Sequence, residues 1–147
     1  MTQALGRHIL CEAYGCDPAI LDNQQLVQEI MVEAALRAGA EIREVTFHKF
    51  SPQGVSGVVV ISESHLAIHT WPELGYAAID VFTCGESVNP WVACHYLTQA
   101  FKARSTETTE MRRGVMGADG SLGTEITRHP HTVIGHEDQP ADVVEVR

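Results

Sequence analysis

The stretch from residue 55 to residue 73 constrains this chain most, because it sets reactive side chains between two apolar runs. The run 58–61 predicts a buried strand, and the shorter run 66–68 predicts its neighbour. Between them lies Ser62-Glu63-Ser64-His65. A tight hairpin turn favours Asn-Gly or Asp-Gly, since the turn needs positive φ. A carboxylate, a hydroxyl and an imidazole at such a turn are therefore typical of a functional site.

Length and composition indicate one globular domain. The chain has 147 residues, of which 44% are hydrophobic and 20% charged, as in folded single domains. The net charge of -9 argues against nucleic acid and anionic membranes as partners. No apolar stretch of membrane-spanning length occurs, and the N-terminus lacks the basic and apolar regions of a signal peptide. We therefore expect a cytoplasmic protein with no membrane partner.

The four cysteines are not spaced for a structural zinc site, and a cytoplasmic setting disfavours disulfides. They are Cys11, Cys16, Cys84 and Cys94. We expect the first, second and fourth to act as small buried hydrophobes. Cys84 follows a predicted strand and stays a candidate for chemistry.

Hydrophobic periodicity predicts the order strand, helix, several strands, helix. The predicted strands cover residues 7–14, 41–50 and 76–83, besides the central hairpin. The first helix is predicted to begin at Asp22 as N-cap, with Gln25 in a capping box, and to end at Gly39. Asn89-Pro90 predicts the start of a second helix that runs to about residue 103. Short links make the sheet mostly antiparallel, so the predicted fold is a two-layer α/β sandwich of the α+β type with helices on one face.

The C-terminal part of the sequence carries a weaker signal. Residues 111–147 carry Gly114, Gly117, Gly120 and Gly123, two prolines and scattered charge without lasting periodicity. We therefore expect a folded domain over residues 1–110 and a weakly ordered tail over 111–147. We expect the three histidines of the tail to be solvated loop residues. These are His129, His131 and His136.

Several site chemistries can be weighed against the central stretch. A serine hydrolase lacks support, because there is no Gly-x-Ser-x-Gly elbow. His65 and His69 would lie roughly 13 Å apart on a strand, so we expect no metal site there. No phosphate-binding glycine loop occurs. Two lysines, Lys49 and Lys102, leave little choice for the Schiff-base lysine that pyridoxal phosphate needs.

Rearrangement of the backbone fits these residues better. A serine in a strained turn can attack the carbonyl of the residue before it, moving the acyl group of Glu63 from the nitrogen of Ser64 to its hydroxyl oxygen. A nearby imidazole can then remove the α-proton of Ser64, so that the ester is eliminated. Hydrolysis of the dehydroalanine leaves a pyruvoyl group at a new N-terminus.

Several motifs of the chain, in order, carry a resemblance to a known family. They are Leu5-Gly6-Arg7-His8, Leu21-Asp22-Asn23, Thr46-Phe47-His48-Lys49-Phe50, the stretch 55–66, Ile68-His69-Thr70-Trp71-Pro72-Glu73 and the stretch 78–85. Together, from about residue 5 to residue 103, they resemble the prokaryotic S-adenosylmethionine decarboxylase proenzymes, which depend on a pyruvoyl group.

The resemblance implies a role for each reactive residue. Cleavage would fall between Glu63 and Ser64, and Ser64 would become the pyruvoyl cofactor. His69 would be the base in processing, assisted by a hydrogen bond from Ser56. Cys84 would donate the proton during decarboxylation.

The resemblance also implies a substrate, S-adenosylmethionine, and a product used in spermidine synthesis. Phe50 would stack on the adenine and Glu73 would bind the ribose hydroxyls, with Trp71 of the same motif a further candidate substrate contact. The family fold is a two-layer α/β sandwich, and its active sites lie at a homodimer interface. We therefore expect a homodimer, or a larger assembly, of processed chains 1–63 and 64–147.

Other interpretations remain at this point. The same pyruvoyl chemistry could act on arginine or ornithine, or the chain could be an uncleaved regulatory subunit. Phe50 and Trp71 could simply pack, and His8 and His48 are expected to be strand residues with satisfied hydrogen bonds. Asp80 alternates inward with Phe82 but has no assigned role.

Overall fold

The computed structural model describes residues 3–134, apart from the side chain of residue 131. Its strands are β1 (Ala4–Tyr14), β2 (Ile42–Lys49), β3 (Val55–Ile61), β4 (Ser64–Trp71), β5 (Tyr76–Cys84), β6 (Ser105–Met116) and β7 (Leu122–Val133). Its helices are α1 (Pro18–Leu21), α2 (Gln24–Arg37) and α3 (Pro90–Ala100), with a 3-10 turn over Pro72–Leu74. No helix within residues 3–134 is both long and apolar enough to cross a membrane.

The strands form one sheet in the order β2-β3-β4-β5-β1-β6-β7. Every neighbouring pair is antiparallel. Alternate residues of the central strands, such as Leu66, Ile68 and Val81, are fully buried in one core with Met31 of α2 and Leu97 of α3. The predicted two-layer α/β sandwich with a mostly antiparallel sheet is confirmed.

The other side of the sheet is less covered, and we call it the open face. It carries the alternate residues of β3, β4, β5 and β1, including Ser56, His65, His69, Asp80 and His8. These side chains are half-buried or exposed, while their strand neighbours are buried against the helices. Because successive side chains of a strand point to opposite faces, the sheet gathers polar groups on one side.

The helix ends follow local capping rules, with one correction to the prediction. The N-cap of α2 is Asn23, whose side chain accepts from the backbone N–H of Leu26 at 3.0 Å, so Asp22 as N-cap is wrong. Asp22 instead ends α1, because that short helix occupies the preceding turn. Its carboxylate accepts from the backbone N–H of Gly54 at 2.9 Å and pairs with Lys49 Nζ at 3.0 Å.

The predicted end of α2 and start of α3 are confirmed, but α3 ends at Ala100 and not at about residue 103. Gly39, with φ of 92°, follows the C-cap of α2, where a left-handed residue favours glycine. Asn89 caps α3 by accepting from the backbone N–H of Trp91, and Pro90 occupies the first helical position.

The C-terminal region departs from the prediction. Strand β6 crosses the expected boundary at residue 110, and β7 extends the sheet to residue 133. The expectation of weak order is therefore wrong for residues 111–133, while residues 135–147 lie outside the described residues. Residues 122–130 of β7 are all exposed. A strand solvated on both faces has no alternating apolar pattern, which is why periodicity does not predict it.

The prediction of solvated histidines in the tail can be compared with the structure for His129 alone. His129 is exposed but lies in β7, and its ring meets Trp91 edge-on at 5.3 Å. The side chain of His131 and the whole of His136 lie outside the described part of the chain.

Candidate active site

The turn between β3 and β4 holds a residue in a strained conformation. Ile61 pairs with Ser64, so Ser62 and Glu63 form a two-residue turn. Glu63 has a φ of 71°, in the left-handed region that costs a non-glycine residue about 1–2 kcal/mol. Arg43 Nε donates to Ser62 Oγ at 2.9 Å, and this bond fixes the turn against β2.

Ser64 is the first residue of β4 and lies beside two groups of its predicted chemistry. Its hydroxyl is directed at the carbonyl of Glu63, and its Oγ lies 3.3 Å from Cys84 Sγ. Cys84 is the last residue of β5 and is half-buried. The structure therefore brings together the Glu63 carbonyl, the Ser64 hydroxyl and the Cys84 thiol.

Ser56 and His69 form a second group on the open face. They are cross-strand partners in β3 and β4, and Ser56 Oγ lies 2.8 Å from His69 Nδ1. Of the two, His69 is exposed and Ser56 half-buried. A hydroxyl paired with an accessible imidazole is suited to transferring a proton.

The two groups do not meet within one chain. Ser64 and His69 lie five residues apart on the same strand, so their Cα atoms are separated by about 16 Å at the usual strand rise. The imidazole of His69 cannot span that distance to the α-carbon of its own Ser64.

The predicted substrate contacts lie towards the His69 end of β4. Trp71 ends the strand, and its ring lies 6.4 Å from the ring of His69 and stacks on Tyr76 at 5.2 Å. Phe50 directly follows β2 at the same end of the sheet, where it is 46% exposed with its ring 4.6 Å from that of His48. Glu73 is exposed in the 3-10 turn.

A cluster on the open face was not anticipated from the sequence. Asp80 Oδ2 lies 2.9 Å from His8 Nε2 and 2.8 Å from His65 Nε2. The expectation that His8 is a strand residue with a satisfied hydrogen bond is thus confirmed, and Asp80 is its partner. The signal in the sequence was the alternation of Asp80 with Phe82, but the pairing depends on register between three strands.

The cysteines divide by environment. Cys11, Cys16 and Cys94 are buried, as expected. Burial raises the pKa of the Cys11 and Cys16 thiols to about 12 and raises the pKa of Cys94 well above its ordinary value. Among the four, Cys84 is the one with partial access to solvent.

A cleft on the molecule lies away from these groups. Its volume is about 500 Å³, and it is lined by Glu12, three residues of β6 and Arg128, His129 and Pro130 of β7. None of the predicted catalytic residues lines it. The candidate site is therefore identified by its reactive side chains and not by this cleft.

Comparison with known proteins identifies the family. Residues 7–114 match the family model described as S-adenosylmethionine decarboxylase. The chain belongs to this family. An S-adenosylmethionine decarboxylase proenzyme of Acetivibrio thermocellus is 77% identical over 112 residues, covering 76% of this chain and 90% of the relative. One from Moorella thermoacetica is 74% identical over 114 residues, covering 78% and 91%.

A solved structure agrees with this assignment. The adenosylmethionine decarboxylase of Aquifex aeolicus superposes with a TM-score of 0.74 at 30% sequence identity, covering 82% of this chain and 99% of that one. The family match ends at residue 114, before the start of β7 at Leu122. Strand β7 is therefore an addition beyond the matched family region.

The cysteine environments predict selective alkylation. With limiting iodoacetamide at pH 8, we expect Cys84 to be modified at least tenfold faster than the other three, because the thiolate reacts and burial keeps those thiols protonated and covered. Peptide mapping by mass spectrometry measures the four rates. Unfolding in urea should equalise them, and faster labelling of Cys11 or Cys94 in the folded protein would contradict the structure.

Proposed function

We propose that this chain is a self-processing decarboxylase that converts S-adenosylmethionine to its decarboxylated form and CO2, using a pyruvoyl cofactor made from its own Ser64. The observation that carries the proposal is the arrangement of Ser64, with its hydroxyl against the Glu63 carbonyl and Cys84 Sγ 3.3 Å away. Membership of the S-adenosylmethionine decarboxylase family supports the substrate.

The turn geometry suits the cleavage. Ser64 Oγ bonds to the carbonyl carbon of Glu63 as the C–N bond breaks, giving an ester and a free amine. A base removes the Ser64 α-proton, and the Oγ–Cβ bond breaks to release the Glu63 carboxylate. Water then replaces the nitrogen as ammonia, leaving the pyruvoyl group. The left-handed Glu63 raises the energy of the intact turn and so favours the first step.

The surroundings of residue 64 fit the resulting group. The pyruvoyl group supplies an electron-accepting carbonyl, the part that pyridoxal phosphate has in many decarboxylases. Cys84 is placed to donate a proton to the carbon that loses CO2. Loss of CO2 from a carboxylate consumes one proton, so the Cys84 thiolate must be reprotonated after each turnover. The partial exposure of Cys84 allows water to supply that proton.

The distance between His69 and Ser64 within one chain supports a site formed by two subunits. His69 and Ser56 lie about 16 Å from Ser64 along the strand, yet all three are required by the proposed processing. A second copy packed with its open face against the first, strands reversed, would bring its His69 towards this Ser64. The proposed homodimer thus explains why the base and the scissile bond are apart in the single chain.

The proposed substrate fits the groups around His69. The sulfonium of S-adenosylmethionine is a cation without hydrogen-bond donors, and aromatic faces attract such cations. Phe50 and Trp71 offer exposed aromatic surface near that end of the sheet, and Glu73 offers a carboxylate for ribose hydroxyls. In a reversed dimer, these groups would also lie beside the partner's reactive residue. The product would serve as aminopropyl donor in spermidine synthesis.

Cleavage at Ser64 is tested by intact mass. We expect the purified protein to contain chains 1–63 and 64–147, the second beginning with a pyruvoyl group, because Ser64 supplies the attacking oxygen. Ser64→Ala should remain a single chain. Ser121→Ala is the control, since it removes an exposed serine hydroxyl from the turn between β6 and β7 and should still cleave. Cleavage of Ser64→Ala at the same bond would refute the proposed origin of the cofactor.

Action between subunits is tested by complementation. Alone, His69→Ala should process at least a hundredfold more slowly, because its base is missing. Co-expressed with Ser64→Ala, which keeps His69, it should be cleaved in mixed dimers, whereas the Ser64→Ala chain stays whole. Distinct affinity tags separate the mixed dimers for mass spectrometry. If mixed dimers form but His69→Ala is not rescued, the base acts within its own chain.

Substrate choice is tested by CO2 release from carboxyl-labelled compounds. We expect release from S-adenosylmethionine, and at least a hundredfold less from arginine or ornithine, which lack the adenosyl group that Phe50 and Glu73 are proposed to bind. Phe50→Ala should raise KM for S-adenosylmethionine more than it lowers kcat. Faster turnover of arginine or ornithine would show that S-adenosylmethionine is not the substrate. A wholly uncleaved chain would favour the alternative of a regulatory subunit.

A further inference from the structure

A side-chain cluster on the open face joins three strands next to the proposed cleavage point. We call His8, His65 and Asp80 the histidine–aspartate cluster. His8 lies in β1, His65 in β4 and Asp80 in β5, between them in the sheet. Both imidazole Nε2 atoms contact the same oxygen, Asp80 Oδ2, at 2.9 and 2.8 Å. His65 is the residue immediately after Ser64.

Aromatic packing fixes the cluster from one side. The ring of Phe82 lies 5.1 Å from that of His8 and 5.9 Å from that of His65. The guanidinium of Arg113 lies 4.9 Å from the centre of the Phe82 ring. A Cβ on Gly6 would approach Phe82 Cε1 to 2.6 Å, so the glycine allows Phe82 to lie flat on β1.

The donor and acceptor chemistry of these groups limits how they can pair. A carboxylate oxygen only accepts hydrogen bonds, so both imidazoles donate from Nε2 to Asp80. Arg113 Nη1 lies 3.5 Å from His8 Nδ1, and a guanidinium only donates. Both contacts of the His8 ring are compatible with a tautomer that carries its proton on Nε2.

The position of Arg113 beside His8 Nδ1 speaks against a metal ion in the cluster. The three ligand atoms lie within 4.8 Å of one another, which a divalent ion could in principle bridge. Binding through His8 Nε2 would move its proton to Nδ1, where it would face the donor groups of Arg113. Hydrogen bonds to Asp80 account for the convergence without an ion.

We propose that His65 is a positioning residue, anchored through Asp80 to His8, which holds the new chain end at residue 64 after self-cleavage. The inference rests on the proposed function, since it requires the bond between Glu63 and Ser64 to break. Before cleavage, the two-residue turn itself holds Ser64 against Ile61. Cleavage removes that covalent link and leaves residue 64 as a terminus.

A free terminus needs an anchor because chain ends fray when nothing ties them down. His65 carries the first side chain after the reactive residue, and its backbone nitrogen forms the amide next to the reactive carbonyl. Fixing His65 to β5 and β1 keeps residue 64 beside Cys84, which lies on β5 as well. The cluster thereby keeps the reactive group and the proton donor in register.

Two variants separate anchoring from proton transfer. In Asp80→Asn, the amide oxygen can still accept from both imidazoles, whereas Asp80→Ala offers no acceptor. If hydrogen-bonded positioning is the role, Asp80→Asn should keep kcat within about threefold of wild type. His65→Ala and Asp80→Ala should lower kcat by roughly 10- to 100-fold, the scale of a lost hydrogen bond to a charged group. KM should change less than kcat.

Hydrogen exchange tests the anchor without relying on activity. In the cleaved enzyme, His65→Ala should speed exchange of the first amides of β4 at least about tenfold, as fraying predicts. In the uncleaved Ser64→Ala background, the same substitution should change that exchange by less than threefold. His95→Ala, an exposed histidine of α3, is the matched control and should alter neither form.

The results of these experiments distinguish failure of the proposed function from failure of the proposed anchor. If wild-type protein stays uncleaved, the proposed function fails and the anchor fails with it. If wild type cleaves but exchange in His65→Ala is unchanged, only the anchor is overturned. Failure of His65→Ala to cleave would also overturn it, since the turn should suffice before cleavage. The anchor would also be overturned if Asp80→Asn lowered kcat as much as Asp80→Ala does. Binding of Zn²⁺ with the imidazoles of the cluster as ligands would overturn it as well.

Discussion

The antiparallel register of β3, β4 and β5 is the constraint on which the whole candidate site depends. It pairs Ser56 with His69 and brings Cys84 beside Ser64. The same register keeps these two pairs about 16 Å apart, because a strand cannot bend its own residues 64 and 69 together. Hydrogen bonds on both sides of β4 make this spacing rigid. Chemistry that uses both pairs would therefore draw on the proposed homodimer, and helices α2 and α3 leave the open face of the sheet uncovered.

Rigidity of the strands also localises strain at the turn. Ile61 and Ser64 are fixed by pairing, so the two intervening residues must close the hairpin in the remaining space. Glycine would adopt the positive φ of residue 63 without penalty, yet glutamate stands there. Arg43 holds the neighbouring Ser62, so the turn cannot relax by moving away. The strained residue is thus Glu63, whose carbonyl meets the hydroxyl of Ser64.

Sequence patterns predicted local features better than long-range ones. Apolar periodicity was sufficient to locate helices α2 and α3 and the central hairpin, since these signals lie within a few residues. The N-cap of α2, however, is Asn23 and not the predicted Asp22. The register between β1 and β5 was not predictable from spacing, and so the shared role of Asp80 for His8 and His65 was missed. The roles of Ser56 and Phe50 came from family resemblance, because a lone serine or phenylalanine on a strand has ordinary structural uses.

Strand β7 shows a different limit of sequence reasoning. Its exposed residues bury little apolar surface, so no periodic pattern marks it, and its order comes from backbone pairing with β6. The sequence contains the turn that joins them, 117–121, but glycine-rich turns are equally common in unstructured tails. Pairing of this kind depends on an already folded partner strand, which composition cannot reveal.

Strand β6 has a consequence for the open face that follows from its anchoring. Glu110 is buried on the helix side, where it accepts from Arg7 Nε and Trp91 Nε1, each at 2.9 Å. Burial alone would raise its pKa, but the bonds from Arg7 and Trp91 outweigh burial and lower it. Arg7 precedes His8 on β1, so this pair ties β6 to β1 beside the histidine–aspartate cluster. Without β6, β1 would be an edge strand and free to fray. The buried carboxylate on the helix side therefore holds Arg7, the strand neighbour of His8, and so supports the part of β1 from which His8 reaches Asp80.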